Sequence, residues 1–170
     1  MLFDRDGTLV VDVPYNGDPA AVRTMPTAQE ALDRVRAAGV PAGVVSNQSG
    51  VARGLLDAAR VAAVNARVGD VLGPFVVWRW CPHAADGGCS CRKPATGMVL
   101  DAAAALGVAP AEVAVVGDIA ADVGAADAAG ARAVLVPTGA TRREDVDAAA
   151  ARGILAPDLL AAVTMLGFDP

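Results

Sequence analysis

Short apolar runs alternate along this chain with longer, alanine-rich amphipathic stretches. Residues 1–3, 40–45, 75–80, 113–116 and 133–136 have the length and apolar character of buried strands. Between them, Thr27 and Glu30 have capping-box spacing at the start of a first helix, and Gly39 lies past its end. A second helix is expected over 55–68 and a third over 96–106, before Gly107. A fourth follows Asp118 and stops near Gly130, and a last one covers 156–166. Strand and helix in alternation predict an α/β fold, a Rossmann-like doubly wound parallel sheet of about five strands. No repeat or low-complexity linker divides the chain, so residues 1–170 are read as one domain.

Polar clusters fall just after the strands: DRDGT after the first, SNQSG after the second and GD after the fourth. In open α/β sheets ligands bind outside the carboxyl ends of strands, so these clusters mark a candidate site. Asp4 and Asp6, two apart on an extended segment, point their carboxylates to the same side. One carboxylate could attack phosphorus while the other exchanges a proton with the leaving oxygen. The competing reading is a turn in which both side chains bond backbone amides. Asp118 suits a hard cation such as Mg²⁺, or an N-cap, or both. Asp122 is either a support for the site or a solvated helix-face carboxylate. Ser46 and Asn47 precede Gly50 and offer hydroxyl, amide and backbone N–H groups to an anion. Lys93 stands between Arg92 and Pro94 and gains meaning only from these neighbours.

All three cysteines and the single histidine fall within CPHAADGGCSC, residues 81–91. Cys81, His83, Cys89 and Cys91 make a closed set of three thiolates and one imidazole, the donor set of a structural Zn²⁺. A disulfide is the weaker reading, because the cysteine count is odd and the expected compartment is reducing. Ordering this loop would fix Arg92 and Lys93 where a substrate arrives.

Bulk composition narrows the partners. The net charge is −5 and the basic residues are scattered, so no nucleic-acid footprint is present. Mean hydropathy is +0.43, yet no apolar run is long enough for a bilayer, and charges interrupt the N-terminal MLFDRDGTLV. The expectation is a cytoplasmic protein without membrane or nucleic-acid partners. A monomer is expected too, since no apolar interface stripe stands out.

The ordered set DRDGT, SNQSG, RKP and VGD resembles the haloacid dehalogenase superfamily of phosphatases, over nearly the whole chain. That resemblance implies Asp4 as nucleophile and Asp6 as general acid/base, with the Asp6 backbone carbonyl also on Mg²⁺. It implies Asp118 as the second metal carboxylate, and Ser46 and Lys93 as phosphate ligands. The zinc loop and CRKP resemble the branch holding heptose bisphosphate and histidinol-phosphate phosphatases, and SNQSGVARG and Gly97-Met98 resemble the heptose members more. This implies no large cap domain, a substrate framed by residues 8–26 and by the zinc loop, and a small phosphorylated sugar as substrate. Arg92 would then contact the substrate, with Thr8, Asn47 and Arg53 as further candidates. Ala84 and Ala85 depart from the His and Pro frequent in that branch. PYNGDP, residues 14–19, is either a sugar-pocket wall or a connecting turn. A phosphotransferase, or a zinc-tied module that binds phosphometabolites without catalysis, are the rival functions.

Overall fold

The computed structural model describes residues 1–169 and contains one five-stranded sheet. Its strands are β1 (Leu2–Phe3), β2 (Gly43–Asn47), β3 (Val77–Cys81), β4 (Ala114–Gly117) and β5 (Arg132–Leu135). All pair in parallel, in the order β3-β2-β1-β4-β5. The central strand is the shortest. Leu2 and Phe3 register against Gly43 and Val44 on one side and Val115 and Val116 on the other.

Because side chains alternate across a strand, neighbouring residues of β1 enter different cores. Phe3, Val44, Val116 and Val134 face one layer, filled by α1 (Ala28–Ala37), α2 (Ala58–Leu72) and α6 (Leu159–Met165). Leu2, Val45, Val115 and Leu135 face the other, filled by α3 (Gly97–Leu106), α4 (Ala120–Ala129) and α5 (Arg143–Ala151). The sheet is therefore doubly wound, as its sequence pattern predicts. No cap domain is inserted among the described residues, and no helix among them is long and apolar enough to cross a membrane.

Some local expectations fail. Thr27 does precede α1, but in the left-handed region at φ 63°, and its hydroxyl caps nothing. The second helix starts at Ala58 because the Asp57 side chain accepts the Arg60 amide at 2.8 Å. Asp118 is not the cap of α4. That position is Ile119, whose amide donates to the Asp122 carboxylate at 3.2 Å. Helix α5 has no counterpart in the sequence reading.

Candidate active site

β1 and β4 are neighbours whose following segments diverge to opposite faces, and a cavity of about 350 Å³ opens at their carboxyl ends. Asp4 leaves β1 with its amide bonded to the Val116 carbonyl at 2.9 Å, which fixes the nucleophile candidate to the sheet. The chain then turns at Gly7, at φ +80°, where a Cβ would collide with the Asp118 carboxylate. Gly117 is equally confined, since a Cβ there would overlap the Asp122 side chain. These two glycines let carboxylates from separate strands converge.

Lys93 is 2% exposed, and its ammonium sits among buried acceptors. It lies 2.7 Å from Asp4 Oδ1 and 2.6 Å from Asp122 Oδ1, and it donates to the Val45 carbonyl at 2.7 Å. Burial works against its charge, but Asp122 and Asp4 outweigh burial and hold its pKa well above the usual lysine value. Burial pushes the Asp4 carboxyl up to about 8, with Lys93 pulling it down and Asp122 and Asp6 pushing it further up. Asp122 acts as the principal counter-ion of Lys93, so Asp4 is the carboxyl that protonates most readily in the absence of a metal ion. Burial, then the Asp122 charge, raise Asp118 to about 6 against donation from the Thr138 hydroxyl at 3.2 Å.

Carboxylate oxygens of Asp4, Asp118 and Asp122 lie within 4.8 Å of one another. Asp122 already serves Lys93 and the Ile119 amide, which leaves Asp4 and Asp118 as the pair suited to a divalent cation. The Asp6 carbonyl accepts no backbone N–H among the described residues, so it too is available. Buried acids crowded to raised pKa values fit a hard cation, which would favour their ionised forms.

The other expected residues divide. Asp6, Ser46, Asn47 and Arg92 line the same cavity as Asp4, Lys93 and Asp118. Both ends of the Asn47 side-chain amide are taken by the Lys93 backbone, at 3.1 and 3.0 Å, so this side chain positions Lys93. Thr8 is buried away from the cavity lining with its hydroxyl unpaired. Arg53 also stands outside the lining, donating to the Tyr15 hydroxyl at 2.7 Å with its guanidinium 5.7 Å from the ring centroid. Tyr15 itself is a wall, with Asp12 through Asn16, so part of the 14–19 segment does shape the pocket.

Cys81, His83, Cys89 and Cys91 converge at the end of β3. All four ligand atoms lie within 4.8 Å of one another, and five of the six pairs are 3.1–3.6 Å apart: 3.4 Å for Cys81–His83, 3.6 Å for Cys81–Cys89, 3.2 Å for His83–Cys91, 3.1 Å for Cys81–Cys91 and 3.5 Å for Cys89–Cys91. Those separations are slightly tighter than the edges of a zinc tetrahedron with ~2.3 Å Zn–S bonds. Burial and the neighbouring sulfurs push the Cys91 thiol up to about 12, a crowding that a bound cation relieves. The donor set fits Zn²⁺ and leaves no open position. The loop ends at Cys91, two residues before Lys93.

Sequence reasoning missed Arg5, Gln48, Asn65, Thr138 and Thr141. The threonines hold Asp118: Thr138 bonds its carboxylate, and the Thr141 hydroxyl donates to its carbonyl at 2.6 Å. They belong to TGAT, a polar cluster after the fifth strand, so the rule that found the other clusters would have found this one.

Comparison with known proteins decides the family. The Pseudomonas aeruginosa D-glycero-beta-D-manno-heptose-1,7-bisphosphate 7-phosphatase is 36% identical over 144 residues, covering 82% of this chain and 81% of that protein. The chain belongs to this phosphatase family. A HAD-hydrolase-like family model matches residues 90–162. The crystal structure of D,D-heptose 1,7-bisphosphate phosphatase from Bordetella bronchiseptica, complexed with magnesium and phosphate, aligns with a TM-score of 0.82 at 32% identity, covering 98% of this chain and 96% of that one. A HAD-like phosphatase from Mesorhizobium loti aligns with a TM-score of 0.76 at 33% identity, covering 99% of this chain and 87% of that one. The protein is a phosphatase.

Proposed function

We propose that this phosphatase removes the C7 phosphate of D-glycero-D-manno-heptose 1,7-bisphosphate through an aspartyl-phosphate on Asp4. The observation that carries the chemistry is the convergence of Asp4, Asp6, Ser46 and Lys93 on one cavity at the sheet's carboxyl edge. The substrate class rests on the names of the relatives.

A phosphate in this cavity would meet the Lys93 ammonium and the Ser46 hydroxyl, while Arg92 at the cavity edge offers a second cation to the rest of the sugar phosphate. A carboxylate oxygen of Asp4 attacks phosphorus, and the bond to the sugar oxygen breaks as Asp6 gives that oxygen a proton. Asp6 then takes a proton from water as the water oxygen bonds phosphorus and the Asp4–phosphorus bond breaks. Asp4 and Asp118, with the Asp6 carbonyl, would hold Mg²⁺, which supplies charge neutralisation and alignment. Cys81, His83, Cys89 and Cys91 would hold Zn²⁺ apart from the chemical step. All these groups come from one chain, so a monomer is competent.

The test is phosphate release with Mg²⁺ from heptose 1,7-bisphosphate and from histidinol phosphate at matched concentrations. We expect preference for the bisphosphate, with one phosphate released. Preference for histidinol phosphate would overturn the substrate while keeping the chemistry. Asp4→Asn should cut turnover on the order of 1000-fold or more with the circular-dichroism spectrum unchanged. Substantial turnover by that variant would remove Asp4 from the nucleophile's role.

A further inference from the structure

Arg5 sits between the two catalytic-candidate aspartates and lines the cavity with them, yet its side chain is 1% exposed and one arm of it reaches back to α2. Its guanidinium forks onto Asp6: Nε lies 3.1 Å from Oδ1 and Nη2 lies 2.8 Å from Oδ2. The remaining arm, Nη1, donates to Asn65 Oδ1 of α2 at 2.7 Å. From the other side, Gln48 Nε2 reaches Asp6 Oδ2 at 2.7 Å and also lies 2.8 Å from Ser46 Oγ.

We propose that Asn65, acting through the buried Arg5 guanidinium, is the positioning residue that aims the Asp6 carboxylate into the cavity, with Gln48 tying that carboxylate to Ser46. A planar fork fixes both the place and the plane of a carboxylate, which a lysine at the same position would not do. The fork has a fixed aim only if its third arm is anchored, and Asn65 on a fifteen-residue helix supplies the anchor. Asp6 is 23% exposed on its side chain, so without the fork it would be free to turn toward solvent. Both chemical steps need an Asp6 oxygen at one point, first to protonate the sugar oxygen and then to deprotonate water. Misplacement by an ångström is enough to cost on the order of a hundredfold. Gln48 adds a link between the phosphate-side hydroxyl and the proton-transfer group, so the two halves of the site share one rigid frame.

This inference rests on Asp6 as the proton-transfer group, and the test separates the two. The probes are heptose 1,7-bisphosphate, whose sugar oxygen leaves only with a proton, and p-nitrophenyl phosphate, whose nitrophenolate leaves without one. For Asn65→Ala, kcat/KM on the bisphosphate should fall about tenfold, carried by kcat with KM changed by less than about twofold. On p-nitrophenyl phosphate, kcat/KM reports only the steps up to nitrophenolate departure and should stay within about twofold. Asn65→Asp keeps an oxygen acceptor for Arg5 and should recover bisphosphate turnover to within about threefold. Equal losses on both substrates, no loss on either, or a failure of Asn65→Asp to recover turnover would overturn the positioning role. Asp6→Asn is the control. If it keeps full bisphosphate turnover, the assignment of Asp6 fails; if it loses turnover while Asn65→Ala does not, only the role of Asn65 fails.

Discussion

Lys93 holds a single positive charge against two buried carboxylates. Lys93→Met would leave Asp4 and Asp122 facing each other in a desolvated pocket. Breaking such a buried set by removing one partner costs about 3–5 kcal/mol. We expect that loss in urea unfolding at pH 9, above the Asp4 value of about 8, and a smaller one at pH 5, where Asp4 is protonated with or without the lysine. An equal loss at both values would mean the charges are not what the lysine balances. The metal site carries a related pH signature. The folded-state pKa values of Asp4 and Asp118 are raised to about 8 and about 6 from an ordinary 3.8. Their contribution to stability is therefore fully present below pH 3.8 and is lost as pH rises through about 6 and then about 8. Lys93, raised above its usual value, stays charged throughout that window and adds no slope. In chelator the melting temperature should fall between pH 5 and pH 8, and added Mg²⁺ should flatten the fall by displacing those protons. Calorimetry in buffers of differing protonation enthalpy would detect the released protons, and their absence at pH 6 would contradict the linkage. Among these residues the sequence exposed Asp4, Asp118 and Lys93, because each lies beside a strand end or a proline. Asp122 was ambiguous, since one carboxylate on a helix is usually solvated. Only the close passage permitted by Gly117 brings it onto the lysine. Arg5 could have been suspected, because a cation flanked by two aspartates has its partners at hand; Asn65, in mid-helix sixty residues away, sent no signal.

Elements were legible where they bury an apolar face and illegible where they do not. Helices α1 and α2 present Leu32 and Val35, or Val61, Val64 and Val68, at helical spacing to the sheet, and the pattern revealed both. Helix α5 buries only Ala149 and is otherwise dressed in exposed charge pairs such as Arg143–Asp147 at 2.9 Å. A stripe of one residue cannot be read as a periodicity. The capping box at Thr27 and Glu30 failed for a different reason. The chain must turn sharply from the Met25 region, whose amide bonds the Leu9 carbonyl at 2.9 Å, into α1, and the turn forces Thr27 to positive φ. A β-branched residue there is strained, and its buried hydroxyl has no partner. Thr27→Gly should therefore stabilise the protein by about 1 kcal/mol in chemical denaturation, whereas removing a working cap would destabilise it. Loss of stability on that substitution would restore the capping interpretation.

At the scale of the molecule, the sheet and the zinc loop form two levels of stability joined at one point. The strand order places β1 and β4 in the middle, sealed by helices on both faces, and Asp4 and Asp118 inherit that rigidity. The loop after β3 lies at the sheet's edge, where the apolar side chains available to order it are few: between Cys81 and Cys91 only Pro82, Ala84 and Ala85 are apolar besides the cysteines. Its order must come from the four metal-ligating side chains, yet it delivers Arg92 and Lys93 to the cavity. Lys93 is also gripped from the β2 side, by the Asn47 amide and the Val45 carbonyl, so it should survive loss of zinc better than Arg92, whose guanidinium lies against the His83 carbonyl at 3.5 Å. Zinc removal should thus raise KM for the bisphosphate severalfold and lower kcat less. Hydrogen exchange should quicken across residues 82–92 while β1, β2 and β4 keep their protection, as expected for local opening rather than global unfolding. If zinc-free protein instead lost protection throughout the sheet, the metal would be a keystone of the whole fold. If the loop stayed protected and the kinetics unchanged, the four ligands would not be what orders it.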